Sequence, residues 1–138
     1  MPTTHDAKPA KTDLIARHLL AAACAGADIL ASLTADKNLW RERKPDGSFV
    51  TAADLAADSA IKAVLLLRLP RISVVSEESP DAAQAKHEFI LIDPLDGTAE
   101  FMRGGDEFAV AVAYVIDGRA VAGAIVAPRL NQIGRAHV

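Results

Sequence analysis

The chain has 138 residues, of which 51% are hydrophobic, so it has the size of one globular domain and enough apolar side chains to bury a core. Its 15 basic and 18 acidic residues nearly cancel to a formal charge of -3, which excludes a broad positive field for nucleic acid or an anionic membrane. The single cysteine, Cys24, excludes an internal disulfide and a cysteine-based zinc cluster, and it favours a reducing compartment.

The first regular segment is an amphipathic helix predicted from Asp13 to about Leu33, where apolar residues recur at helical spacing. Charged residues interrupt this stretch, and the polar residues 1–11 lack the apolar core of a signal peptide, so we expect no transmembrane segment. The expected location is the cytoplasm, with a peripheral position at the inner membrane as the alternative.

A tight turn and a second helix are predicted next. The stretch Lys44-Pro-Asp-Gly-Ser48 combines a proline that presets φ with an Asp-Gly bend, which is typical of a loop or a hairpin tip. Thr51 is a candidate N-cap, and Asp54 completes a capping box. The helix is expected to end at Pro70 and to have an apolar face that contains Leu55, Ile61 and Leu65.

Two apolar runs, 72–75 and 88–92, predict strands that deliver carboxylates at their carboxyl ends. The first run is followed by Ser76-Glu77-Glu78, and the second by the sequence DPLDGT at 93–98. In the next run, 108–116, large and small apolar residues alternate, so helices are expected on both faces of the sheet.

The pair Asp117-Gly118 favours a type I′ hairpin, and 120–127 is its predicted returning strand. No later segment supplies a second covering layer, so we expect a chain that is cut short. The run 132–138 is either foreign sequence from cloning or assembly or a natural frayed terminus. An uncovered sheet or helix surface should drive self-association.

The acidic residues at the strand ends predict a metal site. Carboxylates at the carboxyl ends of neighbouring strands converge on the crevice where ligands usually bind, so Asp93 and Asp96 are expected to meet Glu77. Three hard oxygen donors without a nearby histidine or cysteine suit Mg²⁺ or a similar cation. Pro94 stiffens the loop, so that the Leu95 carbonyl could turn inward as a further ligand.

The residues after Asp96 suit an anion. Gly97 permits a left-handed conformation and a close approach of backbone to ligand, and Thr98 would open a short helix whose free N–H groups can hold a phosphate. Purely structural alternatives stay open for each residue alone. The DPLDGT stretch can be only a turn, Glu77 and Glu78 only a solvated strand exit, and Asp54 only the acid of a capping box.

In order and spacing, four segments resemble the amino-terminal portion of the inositol monophosphatase-like, lithium-sensitive phosphatases. They are Lys44-Pro-Asp-Gly-Ser-Phe-Val-Thr-Ala-Ala-Asp54, Val75-Ser-Glu-Glu78, Asp93-Pro-Leu-Asp-Gly-Thr-Ala-Glu-Phe101 and Glu107-Phe-Ala-Val-Ala-Val112. The Asp-Gly-Thr-x-Glu-Phe variant resembles the 3'(2'),5'-bisphosphate nucleotidases of the CysQ type, because inositol phosphatases more often carry asparagine where Glu100 stands. The implied fold class is α/β (α+β layered). The chain would form the amino-terminal part of a truncated αβαβα sandwich of the kind found in inositol monophosphatase and fructose-1,6-bisphosphatase.

The resemblance implies a cytoplasmic hydrolase of sulfur metabolism that converts adenosine 3',5'-bisphosphate to AMP and phosphate. Thr98, supported by Asp54 and with Glu77 near, would position and help deprotonate the water that attacks phosphorus. The implied phosphate contacts come from the N–H groups of Gly97 and Thr98. The implied metal ligands are Glu77, Asp93, the Leu95 carbonyl and Asp96. Together they would hold about two or three Mg²⁺ ions in one site with several metals. The substrate would contact Glu77, Leu95, Asp96, Gly97 and Thr98.

The resemblance covers residues 12–131, which it implies to be an amino-terminal αβ domain. Members of this family continue into a second αβ half that carries a Trp-Asp-x-Ala-Ala-Gly element, and no Trp-Asp occurs here, so the carboxyl-terminal αβ domain is expected to be absent. The isolated chain is therefore expected to have little or no phosphatase activity. An inositol-1-monophosphatase is the alternative within the family, and a non-catalytic metal- or nucleotide-binding module is the alternative outside it. A haloacid dehalogenase-like site would need a nucleophilic aspartate two residues before Asp96, where Pro94 stands.

Overall fold

The chain folds into helices packed on one mixed sheet, with a small hairpin beside them. The structure, a computed structural model, describes residues 11–36, 38–76 and 87–137, the last three as backbone only. Within these ranges the helices are α1 (Lys11–Leu33), α2 (Ala52–Arg68) and α3 (Thr98–Met102), with a short 3₁₀ helix at Pro128–Leu130. The strands are β1 (Arg41–Arg43), β2 (Phe49–Thr51), β3 (Ser73–Ser76), β4 (Glu88–Asp96), β5 (Ala109–Ile116), β6 (Arg119–Ala127) and β7 (Gln132–His137).

Five strands form the main sheet in the order β3-β4-β5-β6-β7. The β3 and β4 strands are parallel, whereas the other neighbours are antiparallel. Asp117 and Gly118 join β5 to β6 with positive φ angles of 50° and 79°, which is the type I′ geometry expected of an Asp-Gly pair. The parallel pair brings the carboxyl ends of β3 and β4 to the same edge of the sheet, as the sequence predicted.

The two long helices lie side by side on one face of this sheet. α1 packs on β5 and β6, and α2 packs on β4. At Gly26 the helices approach so closely that an added Cβ would lie 2.7 Å from Cγ1 of Ile61. Between helices and sheet is the core, whose fully buried side chains include Leu19, Leu30, Ile61, Leu65, Ile90, Ile92, Val112 and Tyr114.

Helices cover only one face of the sheet in the described part of the chain, so the expectation of two covered faces is wrong there. Paired residues of adjacent strands share a face, and the pairs Leu91–Ala113 and Ala111–Ile125 lie opposite the helices. Leu91 is 41% exposed and Ile125 is 56% exposed. The open face is therefore apolar and accessible.

α2 begins with the predicted cap. The Thr51 hydroxyl accepts hydrogen bonds from the N–H groups of Ala53 and Asp54, and the Asp54 carboxylate accepts one from the Thr51 N–H. The predicted apolar face is wrong at one position, because Leu55 is 43% exposed while Ile61 and Leu65 are buried. Leu55 is six residues from Ile61, and this spacing does not return to the same face of a helix with 3.6 residues per turn.

The predicted turn at residues 44–48 is the tip of the β1–β2 hairpin. The Asp46 carboxylate accepts hydrogen bonds from the Ser48 hydroxyl at 2.6 Å and the Ser48 N–H at 2.9 Å. These bonds lower the pKa of Asp46 below its usual range. The hairpin ends at Thr51 and so delivers the chain directly into α2.

By length and composition alone, α1 could cross a membrane. In the fold, however, the side of α1 that includes Leu19, Ala23 and Leu30 is buried, and α1 packs against α2 and the sheet as the core helix of a globular domain does. Cys24 lies in this helix and packs against the core, and burial followed by the nearby Asp28 raises its thiol pKa.

The run 132–137 forms β7 and pairs with β6 along its length. That these residues are foreign sequence, and that the amino-terminal domain is 12–131, stay predictions.

Candidate active site

A bulge near the end of β4 brings the two acidic residues of DPLDGT to one side. Asp93 pairs with Ala111 and Asp96 pairs with Ala109, so three steps along β4 match two steps along β5. In a regular strand, residues three apart point to opposite faces. The extra residue at the bulge restores Asp96 to the face of Asp93, so both carboxylates belong to the same side of the strand end.

The two residues between the aspartates anchor this bulge in the core. Leu95 is buried in the hydrophobic core, and Pro94 is also fully buried. Asp93 is partly buried, whereas Asp96 is exposed. The buried pair thus fixes the backbone from which the two carboxylates project.

Gly97 forms the sharp corner between β4 and α3. Its φ is +91°, in the left-handed region that favours glycine. A Cβ at this position would lie 2.8 Å from the Glu107 carbonyl oxygen and 3.3 Å from Cα of Phe108. The loop before β5 therefore presses against Gly97, and Thr98 follows as the first residue of α3.

The Thr98 hydroxyl links the end of β4 to the start of α2. Its Oγ1 lies 3.2 Å from Asp54 Oδ1, and also 3.2 Å from the Leu95 carbonyl oxygen. Asp54 is buried, and its Oδ2 accepts two hydrogen bonds of 2.7 Å, from the Thr51 N–H and the Thr51 hydroxyl. The sequence pattern predicts Asp54 as a capping acid and the family resemblance implies it as a partner of Thr98, and the structure contains both contacts.

These contacts give the Thr98 hydroxyl a defined direction. The hydroxyl can donate one hydrogen bond, to Asp54 or to the Leu95 carbonyl. The lone pairs of its oxygen can accept a hydrogen bond from another group. Because Asp54 is held by two donors from Thr51, it offers a fixed acceptor behind Thr98. The arrangement can therefore orient a water molecule and receive its proton.

Glu77, the third predicted metal ligand, and Glu78 lie outside the described residues. Among the residues that are described, no three carboxylate, histidine or cysteine side chains form a metal cluster. The structure does place two carboxylates and the Leu95 carbonyl oxygen at the bulge. All three supply hard oxygen donors of the kind that Mg²⁺ and Ca²⁺ prefer.

Sequence reasoning missed two supporting contributions to this site. Thr51 was predicted only as a helix cap, yet its hydroxyl also holds Asp54. The Glu107–Phe108 backbone was not predicted to contact the DPLDGT segment, although it touches Gly97. A signal for the first was present, because a capping box places the Thr51 and Asp54 side chains together.

The chain is similar in sequence to proteins of one known family. Residues 11–137 match the family model described as the inositol monophosphatase family. Over 110 residues the chain is 40% identical to the 3'(2'),5'-bisphosphate nucleotidase CysQ of Salmonella typhimurium, covering 78% of this chain and 45% of that protein. It is also 32% identical over 126 residues to an inositol-1-monophosphatase of Mesorhizobium japonicum, covering 90% of this chain and 47% of that protein.

The fold has solved relatives as well. The extragenic suppressor protein suhB of Bartonella henselae superposes with a TM-score of 0.80 at 27% identity, covering 89% of this chain and 48% of that one. The chain thus covers 45–48% of the length of these three proteins. The α/β layered architecture predicted from the sequence is confirmed, and the chain belongs to the inositol monophosphatase family.

Proposed function

We propose that this chain supplies the first part of the active site of a metal-dependent phosphomonoesterase, a 3'(2'),5'-bisphosphate nucleotidase that converts adenosine 3',5'-bisphosphate to AMP and phosphate. The observation that carries the proposal is the hydrogen bond between Thr98 and Asp54, which are 44 residues apart in sequence, directly beside the bulge of Asp93 and Asp96. A purely structural turn would not need a buried carboxylate from another helix behind its hydroxyl.

In this proposal Thr98 and Asp54 help to deprotonate the attacking water. The attacking water donates to Thr98 Oγ1 while the Thr98 hydroxyl donates to Asp54 Oδ1, so the carboxylate draws proton density away from the water. The two hydrogen bonds from Thr51 keep Asp54 in place during this step. Glu77 would lie near the same water.

The residues at the bulge fit a divalent cation. Asp93, Asp96 and the Leu95 carbonyl would hold it together with Glu77, since all four supply oxygen ligands. When bound, Mg²⁺ stabilises the charge that develops on the attacking and leaving oxygens.

The start of α3 would hold the phosphate that is cleaved. The first N–H groups of a helix have no partner within it, so the N–H groups of Gly97 and Thr98 are available to phosphate oxygens. The positive φ of Gly97 lets the backbone itself approach the phosphate. Together with Leu95, Asp96 and Glu77, these groups would contact the substrate.

The nucleotide substrate is proposed on two grounds. Glu100 stands where inositol phosphatases more often carry asparagine, and the identity to a CysQ nucleotidase, 40%, exceeds that to an inositol-1-monophosphatase, 32%. This substrate would place the protein in the cytoplasm and in sulfur metabolism. The inositol-1-monophosphatase activity is the second candidate, because the matched length is greater there, 126 residues against 110.

Metal binding by the chain itself is the first test. We expect calorimetric titration with Mg²⁺ or Mn²⁺ to show binding that is lost in D93N and D96N. D28N is the matched control, because Asp28 is an exposed acid on α1 outside the site. Binding that survives both site substitutions would contradict the proposal and favour a non-catalytic module.

Catalysis is tested in a chimera in which the chain replaces the matching segment of the Salmonella CysQ. We expect the chimera to release phosphate from adenosine 3',5'-bisphosphate, and T98V to slow it by about 10²- to 10⁴-fold, the usual contribution of general acid–base groups. T34V is the control. Faster release from inositol 1-phosphate would support the second candidate instead, and an unimpaired T98V would contradict the role of Thr98. The unextended chain should release little or no phosphate.

A further inference from the structure

A cavity lies at the end of the sheet opposite the candidate active site. Its volume is about 630 Å³, and it is bounded by the start of α1, the end of α2 and the residues that begin β3 and β4. Ile72 and Glu88 are at the amino ends of these parallel strands, whereas Asp93 and Asp96 are at the carboxyl end. The five residue steps from Glu88 to Asp93 correspond to about 17 Å of strand, so the cavity is separate from the phosphate loop.

The rim of this cavity is basic. Lys11, Arg68 and Arg71 line the cavity together with Glu88, the only acidic residue in the described lining. The Glu88 carboxylate is already engaged, because it accepts a hydrogen bond from the Tyr114 hydroxyl and lies 3.9 Å from Nζ of Lys11. Within the described part of the chain, neither Arg68 nor Arg71 forms an ion pair with a carboxylate. The lining therefore has an excess of positive charge.

One of the two arginines is positioned. Arg68 Nη1 lies 3.4 Å from Nδ1 of His18, a nitrogen that can accept its hydrogen bond. This contact directs the guanidinium of α2 towards α1 and across the cavity. A guanidinium held in this way presents its remaining N–H groups as a fork, the geometry that binds phosphate or carboxylate oxygens in pairs.

The floor of the cavity is apolar. Ile15 is buried, and Leu69 and Ile72 pack against the hydrophobic core. An apolar lining with a few convergent charged groups, in a volume between roughly 300 and 1,000 Å³, is typical of a small-molecule site. A fully hydrated ion would leave this floor exposed, whereas a ligand with an apolar portion would cover it.

We propose that this cavity binds an amphipathic anion, in which a phosphate headgroup contacts Arg68 and Arg71 and an attached apolar chain lies on Ile15, Leu69 and Ile72. The headgroup and chain can belong to a membrane lipid or to a free alkyl or acyl phosphate. This site is independent of the proposed phosphatase activity.

The proposal is tested with octyl phosphate as the probe, in calorimetric titration of the whole chain. We expect octyl phosphate to bind at least about tenfold more tightly than either inorganic phosphate or octanol. Inorganic phosphate lacks the apolar chain, and octanol lacks the phosphate group. The double variant R68Q/R71Q should weaken binding of octyl phosphate by about tenfold or more. R119Q, which removes an exposed arginine from the β5–β6 hairpin outside the cavity, should leave it unchanged.

Equal affinity for octanol and octyl phosphate, equal weakening in R119Q, or no binding of octyl phosphate would each overturn the proposal. Urea denaturation of both variants checks that the fold is intact, and I15A provides a second variant that should weaken octyl phosphate without changing the weak binding of inorganic phosphate. Vesicles of phosphatidylcholine with and without phosphatidic acid distinguish the sources. Cosedimentation that depends on phosphatidic acid and on Arg68 and Arg71 supports a lipid, and octyl phosphate binding without cosedimentation supports a free ligand.

Discussion

At the scale of single residues, the candidate site depends on side chains that serve two purposes. Thr51 caps α2 by accepting backbone hydrogen bonds, and it also donates its hydroxyl proton to Asp54. Asp54 in turn completes the capping box and accepts from Thr98. The stability of α2 and the geometry of the candidate site are therefore coupled through these two residues.

Replacing Thr51 by valine keeps the shape of the side chain and removes both roles of its hydroxyl. We expect T51V to lower the free energy of unfolding by about 1–2 kcal/mol, the usual loss on removing an N-cap. The measurement is urea denaturation. T34V is the control, since the Thr34 hydroxyl bonds only the Ala31 carbonyl at the exposed end of α1, and it should change the free energy by less than about 0.5 kcal/mol.

Tyr114 offers a titration with a direct readout. Burial, then the hydrogen bond to Glu88 and its negative charge, raise the tyrosine pKa to about 12. Because the folded protein holds the proton more tightly than the unfolded chain, the stabilising contribution is complete below the unfolded pKa of about 10 and is lost as the pH rises from there through about 12.

Tyr114 is the single tyrosine of the chain, so tyrosinate absorbance reports this residue alone. We expect its ionisation midpoint to lie well above that of free tyrosine and to fall in E88Q, which removes the neighbouring charge. Y114F should show a smaller loss of stability between pH 10 and 12 than the wild type. A normal ionisation midpoint in the folded wild type would contradict the raised pKa as a whole, and a midpoint unchanged in E88Q would refute the contribution of Glu88.

At the scale of elements, the β4 bulge and the corner at Gly97 together set the path of residues 93–98. The bulge returns Asp96 to the side of Asp93, and the left-handed residue then turns the chain into α3. The loop that leads into β5 packs against this corner through the Glu107 carbonyl and Phe108. The local path of DPLDGT thus depends on contacts with a neighbouring segment.

Comparing G97A with G104A separates the energetic cost of the backbone conformation at this corner from the cost of its packing. A left-handed φ costs a non-glycine residue about 1–2 kcal/mol, and at Gly97 the new Cβ would also clash with the Glu107 carbonyl. G104A is the control, because Gly104 has a similar φ of +80° with open space around its Cβ position. We expect G97A to destabilise by at least about 1 kcal/mol more than G104A in urea denaturation. Equal losses would show that the contact with Glu107 is unimportant.

At the scale of the whole molecule, the dominant feature is a sheet that has helices on one face and, within residues 11–36, 38–76 and 87–137, no covering element on the other. Leu91 and Ile125 are exposed on the open face. Exposed contiguous apolar surface favours association. We propose that this face drives the self-association expected of the isolated chain.

Sedimentation velocity over a range of concentrations tests this expectation. Burying an isoleucine side chain contributes about 1.5–3 kcal/mol, so I125K should weaken self-association by about tenfold or more. L66K is the control, since Leu66 is 73% exposed but lies on α2, away from the sheet. Association that is abolished by L66K and unaffected by I125K would assign it to the helix surface instead.

The sequence by itself determined the features that depend on a few neighbouring residues. These include the cap at Thr51, the Asp46-Gly47 and Asp117-Gly118 turns, the glycine corner at position 97 and the acidic residues at strand ends, because capping, turn geometry and strand termination are local. Only the tertiary structure decided that a bulge places Asp96 on the side of Asp93, that Leu55 is exposed, and that the helices cover one face of the sheet; it also contains the contact between Thr98 and Asp54, which residue preferences alone did not predict and only the family resemblance implied. Each of these outcomes depends on register or packing between segments that are distant in sequence, and such contacts are set by the fit of whole elements rather than by local residue preferences.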